Sequence, residues 1–340
     1  HYIRKAMSKI RWGIVGAARV NERLMPAIIH STDGELVAIG SRRPAAAKAC
    51  LLKHAPDLED QVQCFDGLDQ VINHERVDAI YIPLANEEHV PTALKAIRAK
   101  KHVLIEKPMA LKSQEVQMLF DEAKKYQVNI MEGFMYAFHP QFDRIQSIIH
   151  SNIIGEANYA HSMFSFPIQP ARFYRINRPM KNGGGALWDI GPYAIHTIRQ
   201  CFKENPLKVY AQAELNEHGA DISATGMIDF GNHKRATFDI SFNCTRRSEF
   251  EVFGPNGRVK CPTVWQPEDQ TAKIIYTTEK SGLTEEIVPK ANHFDREIQH
   301  FNEVILRRIT PKLDEQDAVW NAKTLEGIQK SIEANAWVDL

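Results

Sequence analysis

Short apolar runs alternate with stretches of helical periodicity along residues 10–133 of the chain. The runs predict strands, and the stretches in which apolar residues recur at helical spacing predict helices. Regular alternation of the two is typical of βαβ units with a parallel sheet, and six strands in this order indicate a Rossmann domain. The predicted strands are Ile10–Val15, Leu36–Gly40, Gln61–Phe65, Ala79–Pro83, His102–Glu106 and Asn129–Gly133, and the predicted helices are Val20–His30, Pro44–His54, Gly67–Asn73, Glu88–Ala99 and Ser113–Tyr126.

The pattern changes beyond about residue 152, where candidate strands follow one another. We therefore predict two domains, a Rossmann domain over 7–130 and a second α/β domain over 131–340, with Met7 as the natural start and residues 1–6 left out of the fold. The strands predicted in the second domain are Ala157–Phe166, Val209–Leu215, Ala220–Asp229, Arg235–Ser241, Ser248–Phe253, Lys273–Tyr276 and Thr284–Val288, and its closing helices are Phe294–Ile309 and Gln316–Asn335.

The composition is that of an ordinary globular protein, with 44% hydrophobic and 25% charged residues in a chain of 340. Because the formal net charge is zero and no apolar run approaches the ~18 residues of a membrane span, we expect neither a nucleic-acid nor a membrane partner. The five cysteines are scattered without a C-x-x-C pair, which favours a reducing, cytoplasmic setting. Metal-binding motifs such as H-E-x-x-H are absent from the sequence, so no metal site is predicted.

The turn after the first predicted strand resembles a phosphate-binding turn that has kept one glycine. It reads Gly16-Ala17-Ala18-Arg19-Val20-Asn21, with alanine and asparagine where G-x-G-x-x-G has its second and third glycines. The alternative is a plain strand-to-helix turn, and the surrounding βαβ alternation favours the cofactor. The predicted pyrophosphate-binding residues are Gly16, Ala17, Ala18, Arg19 and Val20.

Ser41-Arg42-Arg43 follows the second predicted strand, where an acidic residue would bind the ribose 2′-hydroxyl of NAD. A hydroxyl and two guanidinium groups suit the 2′-phosphate of NADP instead, because arginine presents a fork of donors. We predict NADP, with NAD as the alternative. A second alternative is that Arg42 and Arg43 only begin a solvated helix.

Lys107 directly follows the fifth predicted strand, at the carboxyl edge of the sheet, where open α/β proteins bind ligands. A lysine there is suited to hydrogen-bond a reacting oxygen and to move a proton. The alternative is an ordinary surface lysine. The peptide bond to Pro108 is a candidate for the cis form, which X-Pro bonds adopt at modest cost.

Three segments in order, Tyr81–His89, Glu106–Pro108 and Gly183–Tyr193, resemble the glucose-fructose oxidoreductase and inositol dehydrogenase (Gfo/Idh/MocA) family. The segment Met131–Pro140 resembles the branch with dihydrodiol dehydrogenases and NADP-dependent D-xylose dehydrogenases. The resemblance implies a Rossmann domain followed by an α/β domain with a large, open, mostly antiparallel sheet that binds substrate and forms a homodimer or homotetramer. It also implies an oxidoreductase acting on a sugar, polyol or diol. The alternative is a non-catalytic NADP-sensing regulator of the same fold.

The family's catalytic residues fall on Lys107, Asp189 and Tyr193. Tyrosine has an ordinary pKa of about 10, so it needs a nearby cation to act as a base, and Lys107 is the expected one. For Asp189 the alternative role is a helix N-cap, and for His196 it is a satisfied buried side chain. Further cofactor contacts are predicted at Pro83, Leu84, Asn86, His89, Glu106 and Lys107, and substrate contacts at Phe166, Arg172, Arg175, Trp188 and His196.

Overall fold

A computed structural model describes residues 9–267 and 271–340 of the chain. The predicted start at Met7 lies outside these residues. By its internal contacts the described chain divides into two compact units. The first unit comprises residues 9–110, 114–135 and 293–318. The second comprises residues 111–113, 136–267, 271–292 and 319–340.

The first unit is built on a six-stranded parallel sheet in the order β3-β2-β1-β4-β5-β6. Each predicted strand and helix of this region is present, with ends within two residues of the prediction. The strands are β1 (Ile10–Val15), β2 (Gly34–Gly40), β3 (Gln63–Phe65), β4 (Ala79–Ile82), β5 (His102–Glu106) and β6 (Ile130–Gly133). The helices are α1 (Asn21–His30), α2 (Ala46–His54), α3 (Asp69–Ile72), α4 (His89–Arg98) and α5 (Ser113–Tyr126).

The central strands of this sheet are apolar on both faces, as expected for a parallel sheet covered by helices. Trp12 and Ile14 of β1, Ile80 of β4 and Leu104 of β5 are all fully buried. The carboxyl ends of β1, β4 and β5 therefore lie side by side at one edge of a rigid core.

The helix at 293–307 belongs to the first unit, although the predicted division assigns 131–340 to a single second domain. The indole nitrogen of Trp12 donates to Oδ1 of Asn302 at 2.8 Å, and the Trp12 ring contacts Phe301. Asn302 in turn donates to Oγ of Ser31 at 2.8 Å. The physical reason for the difference is the strongly apolar stripe of this helix, which covers one face of the parallel sheet.

The second unit contains a nine-stranded sheet in the order β14-β13-β12-β11-β7-β10-β9-β8-β15. Only its central pair, β7 with β10, is parallel, so the expected large and mostly antiparallel sheet is confirmed. Its strands are β7 (Tyr159–Ser165), β8 (Lys208–Leu215), β9 (Asp221–Gly231), β10 (Lys234–Ser241), β11 (Arg247–Gly254), β12 (Gly257–Cys261), β13 (Ala272–Thr278), β14 (Gly282–Val288) and β15 (Val338–Asp339). The remaining helices of the chain are α6 (Pro140–His150), α7 (Ala186–Asp189), α8 (Gly191–Arg199), α9 (His293–Arg307) and α10 (Glu315–Ala334).

Strands β12 and β15 and helices α6 and α7 were not predicted. Pro255 and Asn256 form the turn of a hairpin between β11 and β12. Helix α6 begins at Pro140 after an N-cap at His139, whose ring nitrogen accepts from the backbone of Gln141. Across the described ranges, no helix is both long and apolar enough to cross a membrane.

Candidate active site

Gly16 forms the tight turn between β1 and α1. Its φ of +130° lies in the region that favours glycine, and a Cβ at this position would stand 3.0 Å from the side chain of Leu84. Asn21 donates from Nδ2 to the carbonyl of Gly16 at 2.8 Å, so the asparagine at the third glycine position holds the turn. Val20 is the N-cap of α1 and makes no side-chain capping bond. The turn and the positive end of the helix therefore form a cradle that fits a pyrophosphate.

The basic residues after β2 lie beside this turn. Arg43 donates to the carbonyl of Ala17 at 2.9 Å, and Oγ of the buried Ser41 accepts from the Arg43 backbone at 3.3 Å. Arg42 forms an ion pair with Glu88, and 61% of its side chain remains exposed. The structure thus brings Ser41, Arg42 and Arg43 together with the phosphate turn.

A cavity of about 480 Å³ opens beside Arg42. Most of its lining comes from residues that sequence analysis did not single out, including Leu68, Ile72, Glu88, Pro91 and Thr92. These residues follow the carboxyl ends of β3 and β4. Because ligands of open α/β sheets bind beyond those ends, their position in the sequence could have identified them as lining residues. Its apolar and polar lining is suited to the adenosine end of a dinucleotide.

The loop after β4 approaches the phosphate turn through Leu84 and Pro83, which lie nearest the position of a Cβ on Gly16. Asn86 begins a short helical turn in this loop. His89 was predicted to contact the cofactor, but it is buried with its ring nitrogens 2.6 Å from the carbonyl of Pro108 and 2.8 Å from that of Leu84. Burial lowers the pKa of His89, and the two carbonyls oppose that shift. His89 therefore holds the loop backbone rather than facing a ligand.

Lys107 follows β5 through a cis Lys107–Pro108 bond, as the sequence interpretation anticipated. The Glu106 carboxyl group accepts from the Tyr81 hydroxyl at 2.5 Å and from the backbone N–H of Lys107. Removal from solvent raises the pKa of Glu106, while these donors lower it. Glu132 accepts from the backbone of Met109 at 2.7 Å. Hydrogen bonds on both sides of the cis bond thus fix the direction of the chain at Lys107.

In the second unit, Asp189 lies at the end of α7 and Tyr193 in the first turn of α8. The N-cap of α8 is Ile190, and no side chain caps this helix, so the alternative role of Asp189 as its cap is not realised. Asp189 instead pairs with Arg175, whose Nη1 stands 2.6 Å from Oδ2 of the aspartate. The ring of Tyr193 packs against Phe164 and Tyr136. Both predicted catalytic residues of this unit are therefore held by specific contacts.

Trp188 and His196, predicted as substrate contacts, are core residues in the structure. Both are fully buried. The Trp188 indole donates to Gln329 at 2.8 Å, and Nδ1 of His196 lies 2.5 Å from the Tyr136 hydroxyl. The alternative of a satisfied buried histidine is thus what the structure shows, and the prediction of substrate contact is corrected for both residues.

The other predicted substrate residues have different surroundings. Arg172 and Arg175 lie in a short helical turn, Pro170–Arg175, whose Tyr174 is 52% exposed. Phe166 is half-buried against Phe164 and Phe242. Arg175 is engaged by Asp189, so its side chain serves this ion pair.

Asp221 is a residue that sequence analysis missed. It is fully buried beneath the glycine loop, and its Oδ2 accepts from the backbone of Leu187 at 2.7 Å. A Cβ at Gly185, whose φ is +97°, would stand 1.9 Å from Oδ1 of Asp221. Burial raises the pKa of Asp221 to about 7. Asp221 is the first residue of β9, and nothing in the sequence at that position indicates that its side chain would be buried beneath the glycine loop.

The Rossmann sheet, the glycine turn and the lysine at the carboxyl edge define a dinucleotide-binding oxidoreductase. Residues 10–134 match the oxidoreductase family with an NAD-binding Rossmann fold, and residues 142–260 match the GFO/IDH/MocA C-terminal domain. The chain belongs to the Gfo/Idh/MocA family.

Similar proteins include curated dehydrogenases and solved structures. The chain is 27% identical to D-xylose 1-dehydrogenase (NADP(+)) 2 of Haloferax volcanii, over 97% of this chain and 99% of the relative. It is 26% identical to trans-1,2-dihydrobenzene-1,2-diol dehydrogenase of Xenopus tropicalis, over 76% and 77%. A 3-ketoreductase from Actinomadura kijaniata, in complex with NADP and TDP-benzene, shares the fold with a TM-score of 0.87 at 24% identity, over 95% and 98%.

Proposed function

We propose that the protein is an NADP(H)-dependent oxidoreductase that interconverts a hydroxyl and a carbonyl group of a sugar, polyol or related diol. The observation that carries the proposal is the arrangement at the carboxyl edge of the parallel sheet. There the Gly16 turn, the Ser41–Arg43 segment and the loop holding Lys107 follow β1, β2 and β5.

The preference for NADP rests on the residues after β2. Arg43 is tied to the phosphate turn, and Arg42 extends toward solvent with Glu88 as its counter-ion. A 2′-phosphate offers Arg42 a stronger partner than one carboxylate, because it carries more charge and more acceptor oxygens. The segment 41–43 also contains no carboxylate to bind a free ribose 2′-hydroxyl.

Lys107 and Tyr193 are assigned to proton transfer. When bound, the nicotinamide accepts or donates hydride at its C4. In the oxidative direction Tyr193 removes the proton of the substrate hydroxyl, and Lys107 supplies the positive charge that stabilises the phenolate. Reduction reverses both steps. Asp189 acts with Arg175 to hold the segment that leads into α8.

The substrate class is proposed from the side chains around Pro170–Arg175 and from the relatives. Arg172 offers hydrogen-bond donors, and Phe173 and Tyr174 expose aromatic faces of the kind that bind sugar rings and arene diols. The curated relatives are named for D-xylose, a deoxysugar nucleotide and a dihydrobenzene diol. Each of these names refers to a sugar or a diol that carries oxygens on adjacent carbon atoms.

A substrate screen tests the proposal. Aldoses, polyols, trans-dihydrodiols and dTDP-sugars are each incubated with NADP or NAD, and the absorbance of the reduced nicotinamide is followed. The proposal expects turnover of at least one class with a higher kcat/KM for NADP. Tight NADP binding in a separate titration, with no turnover of any class in either direction, would instead identify a cofactor-sensing regulator.

Assembly and location complete the proposal. The outer face of the nine-stranded sheet exposes Met227, and β14 exposes Leu283 and Ile287, which favours a homodimer or homotetramer through this sheet. Light scattering of the purified chain tests it, and a monomer at all concentrations would contradict it. All five cysteines are free thiols, which supports a cytoplasmic location.

A further inference from the structure

Glu297 is a buried acid with no hydrogen-bond partner. It lies in the second turn of α9, its residue exposure is 0%, and neither carboxyl oxygen has a partner among the described residues. A carboxylate in such surroundings is strongly disfavoured, because it has lost water and gained neither a cation nor a donor. The group is therefore expected to keep its proton.

Helix α9 is oriented so that Glu297 points toward the carboxyl edge of the parallel sheet. Asn302, further along α9, lies at the amino edge of the sheet. It donates to Ser31, and its side chain stands 3.0 Å from the Cβ position of Gly34, the first residue of β2. Phe301 contacts Trp12 in the middle of β1. Glu297 lies one turn before Phe301 on the same side of the helix, and so nearer the edge that bears Lys107.

The same face of the sheet carries Glu106. Trp12 and Ile14 of β1 pair in register with Ala79 and Tyr81 of β4, and Tyr81 pairs with Leu104 of β5. Because side chains alternate along a strand, Tyr81, Leu104 and Glu106 share the face on which α9 packs. The carboxyl group of Glu106 acts electrostatically on Glu297 and raises its pKa further.

The two carboxyl groups differ in their donors. Glu106 accepts from the Tyr81 hydroxyl and from the backbone N–H of Lys107, whereas Glu297 accepts from none. Donors favour the ionised form, so the negative charge of the pair belongs on Glu106 and the proton on Glu297.

We propose that Glu297 is a positioning residue that holds the proton of a carboxyl pair with Glu106, so that Glu106 keeps the single negative charge that anchors Lys107. The link to turnover rests on the proposed function, whereas the protonated pair is a property of the fold alone.

Few other ionisable groups face Glu297. Tyr81 lies on the face of the sheet that α9 covers, where its hydroxyl donates to Glu106, and His293 lies one turn earlier on the same side of α9. Strand β1 presents the apolar Trp12 and Ile14. Helix α1 buries Asn21 and apolar residues, while its charged residues Glu22 and Arg23 are not among those buried.

The pH dependence follows from linkage. A carboxyl group whose pKa is raised in the folded state contributes stability that is present below its ordinary pKa of about 4.3 and lost as the pH rises through the folded-state pKa. Burial and Glu106 both raise the pKa of Glu297. Over that window the folded state holds one more proton than the unfolded state, so the unfolding constant rises by up to about tenfold per pH unit.

Glu297→Gln tests the pair, because glutamine has the shape of a protonated glutamate and cannot ionise. Urea unfolding is measured from pH 5 to 9 for the wild type, Glu297→Gln and Glu303→Gln, the last removing a partly exposed carboxylate from the same helix. We expect the ratio of unfolding constants, wild type over Glu297→Gln, to rise by up to about tenfold per pH unit. A ratio that stays flat, or that falls with pH, overturns the proposal.

An infrared measurement and a second variant keep the proposal testable if Glu297→Gln folds poorly. The infrared difference spectrum of the wild type minus Glu297→Gln is expected to contain the carbonyl band of one protonated carboxyl group at pH 7, with the contribution of Asp221 cancelling between the two proteins, and the absence of this difference band overturns the proposal. Glu297→Met offers an apolar replacement of similar length and is expected to remove the same pH dependence.

Activity separates the positioning role from a structural one. Ionised Glu297 places a second negative charge near Lys107, so Glu297→Gln is expected to move the alkaline limb of the kcat profile down by up to about one pH unit. Glu303→Gln should leave that limb in place. An unmoved limb in Glu297→Gln contradicts the positioning role. If no substrate turns over at all, the proposed function fails while the unfolding and infrared results still decide the carboxyl pair.

Discussion

Arg175 donates from Nη1 to Oδ2 of Asp189 across 2.6 Å, and the pair is mostly removed from solvent, with 31% and 14% of the two side chains exposed. The aspartate raises the pKa of Arg175. The sequence predicts a substrate contact for the arginine and a catalytic role for the aspartate, whereas in the structure the two side chains bind each other.

Breaking this pair should destabilise the second unit. Arg175→Ala leaves the Asp189 charge largely desolvated, and we expect the free energy of unfolding to fall by about 2 kcal/mol. A double-mutant cycle with Asp189→Asn should give a coupling energy of about 1–3 kcal/mol. Additive effects in urea unfolding would show that the pair contributes nothing to stability.

The fold of the first unit could be predicted because its central strands are mostly apolar and helices α1, α4 and α5 are amphipathic, so that both periodicities are visible locally. Ile10–Val15 and His102–Glu106 match β1 and β5 to the residue. The return of α9 to this unit could not be predicted, because its contacts with Trp12 span 290 positions along the chain.

The site was only partly predictable for a related reason. Gly16 and Lys107 carry local signals, a turn and a strand end. Trp188 and His196 were assigned to substrate on chemistry alone, and only the tertiary structure shows that their polar atoms are satisfied by Gln329 and Tyr136. Glu297 and Asp221 gave no signal, because an acid in a helical or strand pattern is ordinarily a solvated one.

Lys107→Met should remove the ammonium group while keeping most of the side-chain stem. We expect kcat to fall by ~10²–10⁴, the usual contribution of a general acid or base, with little change in NADP affinity. Steady-state kinetics and a fluorescence titration of NADP measure the two effects. Lys112→Met, at an exposed lysine nearby in the chain, provides the control. Near-normal turnover of Lys107→Met would remove the lysine from the mechanism.

Tyr193→Phe deletes only the hydroxyl and leaves the ring to pack on Phe164 and Tyr136. If Tyr193 takes the substrate proton, the chemical rate should fall by ~10²-fold or more while the melting temperature changes little. Single-turnover hydride transfer measures the rate. Tyr210→Phe on β8 is the matched control, and equal rates for the two variants would contradict the assignment.

Arg42→Ala should weaken NADP and spare NAD. Charged hydrogen bonds contribute about 1.5–3 kcal/mol, so the NADP dissociation constant is expected to rise by ~10- to 100-fold. Isothermal titration with each cofactor measures it, and Lys48→Ala on α2 controls for the loss of a positive charge nearby. Equal weakening of both cofactors would show that Arg42 does not bind the 2′-phosphate.

Asp221→Asn should flatten the pH dependence of stability in the second unit. Burial raises the pKa of Asp221 from 3.8 to about 7. Its stabilising contribution is therefore present at low pH and is lost as the pH rises through about 7, at up to about 1.4 kcal/mol per pH unit. Asparagine keeps an oxygen that accepts from the Leu187 backbone and cannot ionise.

Urea unfolding at pH 5, 6, 7 and 8 measures this effect. Over this range the free energy of unfolding should fall faster for the wild type than for Asp221→Asn. The stability of the variant relative to the wild type should therefore increase as the pH rises. Asp229→Asn on the same strand provides the reference for removing a carboxylate. Parallel pH profiles for wild type and Asp221→Asn would mean that Asp221 exchanges no proton on folding, and the glycine loop at Gly185 would then rest on an ionised aspartate at all of these pH values.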